Sequence, residues 1–133
     1  MKIKTMTHYV DDQEKALHFF TEKLGFTKKS DFTQGSYRWL TVVSAEDPSG
    51  VELVLQPSAF VPAAQTYQQA LHQQGMPAIM FFVDDAKKEY ERLKGLGVAF
   101  TKPPTKTTGS TIVMLDDTCG NVIQLTQLDA WAS

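Results

Sequence analysis

The chain carries one pattern twice, and that repetition narrows its possible folds more than any other feature. Val10-Asp11-Asp12 opens a stretch that passes Lys15 and reaches Lys23-Leu24-Gly25-Phe26-Thr27-Lys28. Val83-Asp84-Asp85 opens a second, passing Lys88 and reaching Gly95-Leu96-Gly97-Val98, with Phe100-Thr101-Lys102 just beyond. The copies stand 73 residues apart at the valines and 72 apart at Gly25 and Gly97, so one residue is lost between those landmarks. Each copy closes on a glycine and an apolar run, Gly50-Val51-Glu52-Leu53-Val54-Leu55 and Gly120-Asn121-Val122-Ile123-Gln124-Leu125. A unit doubled in 133 residues implies a pseudo-symmetric fold with its functional site where the copies meet. Each copy alone is near the lower size limit for independent folding, so the two are expected to share a core or to swap between chains.

Within the first copy, Ile3–Val10 alternates as a strand, with Met6, His8 and Val10 on one face and Thr5, Thr7 and Tyr9 on the other. Asp11 or Asp12 can cap a helix whose apolar stripe is Ala16, Leu17, Phe19, Phe20 and Leu24, and Gly25 supplies its left-handed stop. Strands are predicted at about Thr27–Thr33, Tyr37–Ser44 and Val51–Gln56. The second copy predicts a strand over Ala78–Val83, a cap at Asp84 or Asp85, and a helix over Ala86–Leu96 with Ala86, Tyr90, Leu93 and Leu96 inward. Strands near Ala99–Lys102, Thr111–Leu115 and Val122–Thr126 complete it, with Pro103-Pro104 and Thr105–Ser110 expected as an irregular, mobile loop near a site. The unit is therefore βαβββ, twice, an α+β arrangement. Ala63–Gln74 reads as a linker helix outside the repeat, entered after Pro62 and stopped by Gly75 and Pro77. Residues 1–133 are expected as one domain, with module one at 1–57, the linker at about 58–75 and module two at 76–128.

A net charge of −2 leaves no basic stripe to release counterions, which argues against a nucleic-acid or anionic-membrane partner. No apolar run approaches the ~18 residues of a membrane span, and the amino terminus lacks a signal peptide's apolar core, so a cytoplasmic location is expected. The single cysteine, Cys119, excludes an intrachain disulfide and a cysteine-cluster metal site. It stands in Asp116-Asp117-Thr118-Cys119-Gly120-Asn121, a turn by composition, and reads as a partly exposed thiol.

Paired βαβββ units, a Val-Asp-Asp strand end, a helix ending Leu-Gly-Phe and a closing Asp-x-x-Gly-Asn-x-Ile-x-Leu together resemble the vicinal oxygen chelate superfamily. That superfamily includes glyoxalase I, extradiol dioxygenases, fosfomycin-resistance enzymes and bleomycin-resistance binding proteins. The chain is most similar to the short bacterial glyoxalase/bleomycin-resistance type. The resemblance implies cup-shaped mixed sheets and a homodimer that completes two cups. It also implies a divalent metal held by residues on the first and last strands of each unit.

Aligned on the superfamily pattern, those positions are Thr5 and Glu52 in copy one and Ala78 and Gln124 in copy two. Glu52 matches a metal ligand, Gln124 is a weaker neutral donor, Thr5 is a poor ligand and Ala78 cannot coordinate. A working site needs about three protein ligands. His8 lies an odd shift from Thr5 and so belongs to the other face of its strand, packed behind the sheet. His18 and His72 are expected to face solvent, and the three histidines have no metal-like spacing. No resident metal or other cofactor is therefore expected.

The ligand-binding candidates are Thr5, Thr7, Tyr9, Trp39, Glu52, Met80, Phe82 and Gln124. Parity leaves open whether Arg38 or Trp39 faces the cup, although Leu40 and Val42 suit the helix-packed side and favour Trp39. Such a lining suits a small amphipathic or aromatic molecule, with a cationic or donor-rich group to meet Glu52. Two functional classes stay open: a binding module without chemistry, and a metal-dependent lyase, isomerase or dioxygenase with Glu52 as ligand or general base.

Overall fold

The computed structural model describes residues 1–129; residues 130–133, the end of the expected domain, lie outside them. In chain order the elements are β1 (Thr5–Val10), α1 (Gln13–His18), β2 (Thr27–Gln34), β3 (Tyr37–Val43), β4 (Glu52–Pro57), α2 (Pro62–Gln73), β5 (Pro77–Phe82), α3 (Ala86–Gly95), β6 (Phe100–Thr107), β7 (Ser110–Asp116) and β8 (Val122–Leu128). The chain divides into two compact units, Met1–Thr66 and Tyr67 onward, and the division falls inside α2. Each unit holds one four-stranded sheet, ordered β1-β4-β3-β2 in the first and β5-β8-β7-β6 in the second. In both, the first strand runs parallel to the last and the remaining pairs are antiparallel. The expected βαβββ order and mixed sheets are present in each copy.

Both copies start their helices with the same device. The Asp12 carboxylate accepts from Lys15 N at 2.9 Å and the Asp85 carboxylate from Lys88 N at 3.0 Å, each satisfying one of the unpaired amides of the first turn. The second aspartate of each pair is thus the cap. In unit 1, Gln13 Nε2 also donates to the carbonyls of Arg38 (3.1 Å) and Leu55 (2.8 Å), tying the start of α1 to β3 and β4. In unit 2 the polarity is reversed: Gln127 Oε1 on β8 accepts from Ala86 N at 2.9 Å.

The first helix departs from expectation at its end, where α1 runs into a π-helical turn over Phe19–Lys23. Thr21 Oγ1 takes the Leu17 carbonyl at 2.7 Å, and Leu24 N reaches back five residues to Phe19 O at 3.1 Å. The wider turn lets the adjacent Phe19 and Phe20 both face inward, their rings edge-to-face at 6.2 Å. Phe20 is fully buried with Leu40, Val42 and Leu55 of the sheet, and burial of a side chain this size is worth roughly 1.5–3 kcal/mol.

Three expectations in unit 2 need correction. α3 ends at Gly95 and Leu96 is exposed, because Leu96 belongs to the turn that Gly97 completes at φ +85°. Thr105–Ser110 is not an irregular loop: Thr105, Lys106 and Thr107 pair with Ile112, Thr111 and Ser110 in a tight hairpin turning at Gly109. Pro103 and Pro104 fall where the register slips between Lys102 and Thr105, on the sheet's edge strand, the position at which missing amide donors cost no ladder bond. Cys119 is fully buried rather than partly exposed.

The burial of Cys119 follows from the turn between β7 and β8. Asp117 is fully buried, with Oδ1 accepting from Cys119 N (2.7 Å) and Asn121 N (3.0 Å) and Oδ2 from Asn121 Nδ2 (2.9 Å). The unit 2 half of α2 latches onto this turn: Gln68 Nε2 donates to Cys119 O at 2.9 Å and to Asn121 Oδ1 at 3.2 Å. His72 is exposed, as expected, and places Nε2 3.0 Å from Asp116 Oδ2. The helix spans Pro62–Gln73, one residue earlier at each end than the Ala63–Gln74 read from the sequence, within the linker segment of about 58–75.

Candidate functional site

In unit 1, strand pairing sorts the candidates by face. Thr5 lies beside Glu52, Thr7 beside Val54 and Tyr9 beside Gln56. Thr41 pairs with Val54 across β3–β4, and Trp39 and Tyr37 pair with Phe32 and Gln34 across β2–β3. Thr5, Thr7, Tyr9, Trp39 and Glu52 therefore share one face, opposite the one covered by α1. On the covered face His8 is buried and sits edge-to-face on Phe20 at 5.5 Å. Arg38 is on that covered side too, where it bonds Asp31 and Glu14 of α1. This settles which of Arg38 and Trp39 keeps company with Glu52.

Glu52 is half-buried, and its Oε1 accepts from Thr41 Oγ1 at 2.8 Å. The same hydroxyl accepts from Ser30 N at 3.1 Å, so its proton is committed to the carboxylate. Tyr37 OH donates to Gln56 Oε1 at 3.3 Å. Around these groups Thr5, Thr7, Phe32 and Tyr37 are exposed, while Trp39 and Tyr9 are half-buried.

In unit 2, Phe82 lies beside Thr126, and Met114 and Ile112 pair with Gln124 and Thr126. Lys102 joins this face at the bulged edge, opposite Met114. Met80 and Phe82 are exposed, whereas Gln124 and Thr126 are buried. One placement differs from the alignment. The residue beside Gln124 is Met80, not Ala78: Met80 and Gln124 pair as Thr7 and Val54 do, so Gln124 answers in register to Val54 and not to Glu52, while Ala78 falls in the irregularity between Pro77 and Ile79. Gln124 Nε2 donates to Thr126 Oγ1 at 3.0 Å and lies 3.6 Å from Met80 Sδ.

The donor chemistry can now be compared with what a divalent ion needs. Unit 1 offers one carboxylate and a threonine hydroxyl side by side; unit 2 offers an amide, whose nitrogen is turned to Thr126, beside a thioether. Among the described residues no three His, Cys, Asp or Glu side chains gather into a group able to hold an ion. These residues do not fit the three-ligand nitrogen and carboxylate set of a catalytic divalent metal.

Phe32, Gln56, Ile112 and Met114 join these faces although the sequence did not single them out. The faces of Phe32, Ile112 and Met114 depend on the register of β2 with β3 and of β7 with β8, which alternation within one strand does not specify; Gln56 follows Glu52 and Val54 by plain alternation along β4.

Doubled βαβββ units with these face residues define a class, and the chain belongs to the Glyoxalase/Bleomycin resistance protein/Dioxygenase superfamily, whose model matches residues 2–125. It is 52% identical over 127 residues to the uncharacterized protein YurT of Bacillus subtilis (strain 168), covering 96% of this chain and 99% of that one. Among solved structures it is similar to UcmS2, with TM-score 0.81 and 31% identity over 95% of this chain and 97% of the other. It is also similar to TnmS3, described as an antibiotic binding protein from Streptomyces sp. CB03234, with TM-score 0.76, 28% identity and 97% of each chain covered. Among the described residues no helix is long and apolar enough to cross a membrane.

Proposed function

We propose that the protein is a metal-independent binder of a small amphipathic or aromatic molecule, acting as a homodimer in the cytoplasm. The observation that carries this reading is the composition of the sheet faces turned away from the helices. Phe32, Tyr37, Met80 and Phe82 are each more than two-fifths exposed there. Beside them stand hydrogen-bonding groups at Glu52, Thr41, Gln56 and Gln124. Exposed aromatic and thioether groups around a few polar anchors are how proteins hold small organic molecules. The antibiotic-binding description of TnmS3 supports the same class of ligand. A metal-dependent enzyme would rest on Glu52 alone, since Thr5, Met80 and Gln124 supply no further anionic or imidazole donor.

The test is tryptophan fluorescence of the full chain titrated with a panel of planar aromatic and glycopeptide ligands. Saturable quenching that is lost in Trp39→Phe, with the melting temperature unchanged, is the expected outcome. The variant is needed because Trp131 also emits. A chain that shows no saturable response to any member of the panel would contradict the binding reading.

A further inference from the structure

The two sheet faces differ in charge, and the difference points to the ligand that unit 1 takes. Among the described residues that strand pairing places on the unit 1 face, Glu52 is the one charged side chain; its neighbours there include threonines, aromatics, Val54 and Gln56, and Lys29, in the β2 bulge, gives its Nζ to Pro48 O at 3.2 Å. Its carboxylate accepts one hydrogen bond, from Thr41, and no ion pair reaches it among the described residues. A carboxylate can accept about four hydrogen bonds, so a half-buried one with a single donor has capacity aimed away from the helix side. In unit 2 the polar β8 residue on the corresponding face is the neutral Gln124, with its amide nitrogen turned to Thr126. Further along the same face, half-buried Trp39 stands two residues along β3 from Thr41, the donor to Glu52, and pairs with the exposed Phe32 across β2–β3. A carboxylate with unfilled acceptor capacity, and aromatic rings further along the same face, suit a ligand with a cation at one end and a flat apolar body at the other.

From this we infer that the unit 1 face selects an organic cation: a protonated or quaternary amine against Glu52, with its flat apolar body over Trp39 and Phe32. The inference rests on the small-molecule reading above and narrows its ligand class. Thr41 is a positioning residue here, since its hydroxyl aims the carboxylate and does not itself touch the cation.

The experiment measures the affinity of the full chain for three matched probes at pH 7.5: 1-naphthylmethylammonium, 1-naphthylmethanol and 1-naphthoate. The cation is expected to bind at least about tenfold tighter than the alcohol, with the anion weakest. Glu52→Gln is expected to bring cation and alcohol within about twofold of each other while the alcohol's own affinity holds. Glu52→Asp, which keeps the charge, is expected to retain part of the preference, so a lost preference is not a lost fold. Binding of the alcohol with no preference for the cation, or a preference that survives Glu52→Gln, overturns the cation assignment and leaves the small-molecule reading standing. Binding of none of the three overturns both.

Discussion

Arg38 donates through Nε and Nη2 to the two carboxylate oxygens of Asp31 at 2.8 Å each, and through Nη1 to Glu14 at 3.0 Å. The guanidinium fork matches the carboxylate, and its hydrogen bonds hold the Asp31 carboxyl down from 3.8 to about 2. A folded-state value depressed in this way contributes stability that is fully present above about pH 4 and is lost as pH falls toward 2. The pair lies at the surface, so its contribution is at most about 1 kcal/mol. Asp31→Asn should therefore melt a few degrees below the parent at pH 7, with the gap closing between pH 4 and pH 2. Paired thermal melts across that range check it; a gap that stays constant down to pH 2 would contradict the assignment. Alternation within β3 left the facing of Arg38 open. It is decided by Glu14, 24 residues away in sequence, a partner that no local pattern contains.

At the scale of elements, α2 and the β7–β8 turn are joined by a few buried polar groups. Gly120 stands at φ +93°, and a Cβ there would come within 2.8 Å of Gln68 Nε2, itself held by two acceptors. Gly109 has a similar φ, +82°, but open space around it. Alanine costs roughly 1–2 kcal/mol at either site through its backbone alone. At Gly120 it must also displace a buried hydrogen-bonded amide, at about 1–3 kcal/mol more. Gly120→Ala should thus lower the melting temperature clearly further than Gly109→Ala; equal drops would show that the Gln68 latch contributes nothing. Little of this latch was legible beforehand. The amides of α2 read as a polar linker face, and nothing near Gln68 in sequence announces the turn 51 residues on. The helix caps, by contrast, were nearly readable, because an aspartate accepting from the amide three residues later is a local event. The strand Thr105–Thr107 was hidden by two prolines, which an edge strand tolerates and a central one does not.

For the whole chain, the duplication carries the family and the fold, and its divergence at the sheet faces supports the metal-independent proposal. The strand ends, caps and closing glycines recur in both copies because each acts locally on its own segment. The metal positions were legible as residue types, yet one was misplaced by alignment. Met80 stands beside Gln124 as Thr7 stands beside Val54, and Ala78 falls in an irregularity of β5; register of this kind is defined only against the partner strand. What remains of the superfamily's ligand set is Glu52, bonded to Thr41.

Whether that carboxylate serves a metal is answered most directly by elemental analysis of the chain purified without chelators, followed by melts with excess Ni²⁺, Zn²⁺ or Mn²⁺. An ion at 100 times its Kd would stabilise the folded chain by about 2.7 kcal/mol, a shift of several degrees. We expect substoichiometric metal and no such shift. Stoichiometric metal, with a raised melting temperature that disappears in Glu52→Ala, would contradict the metal-independent reading.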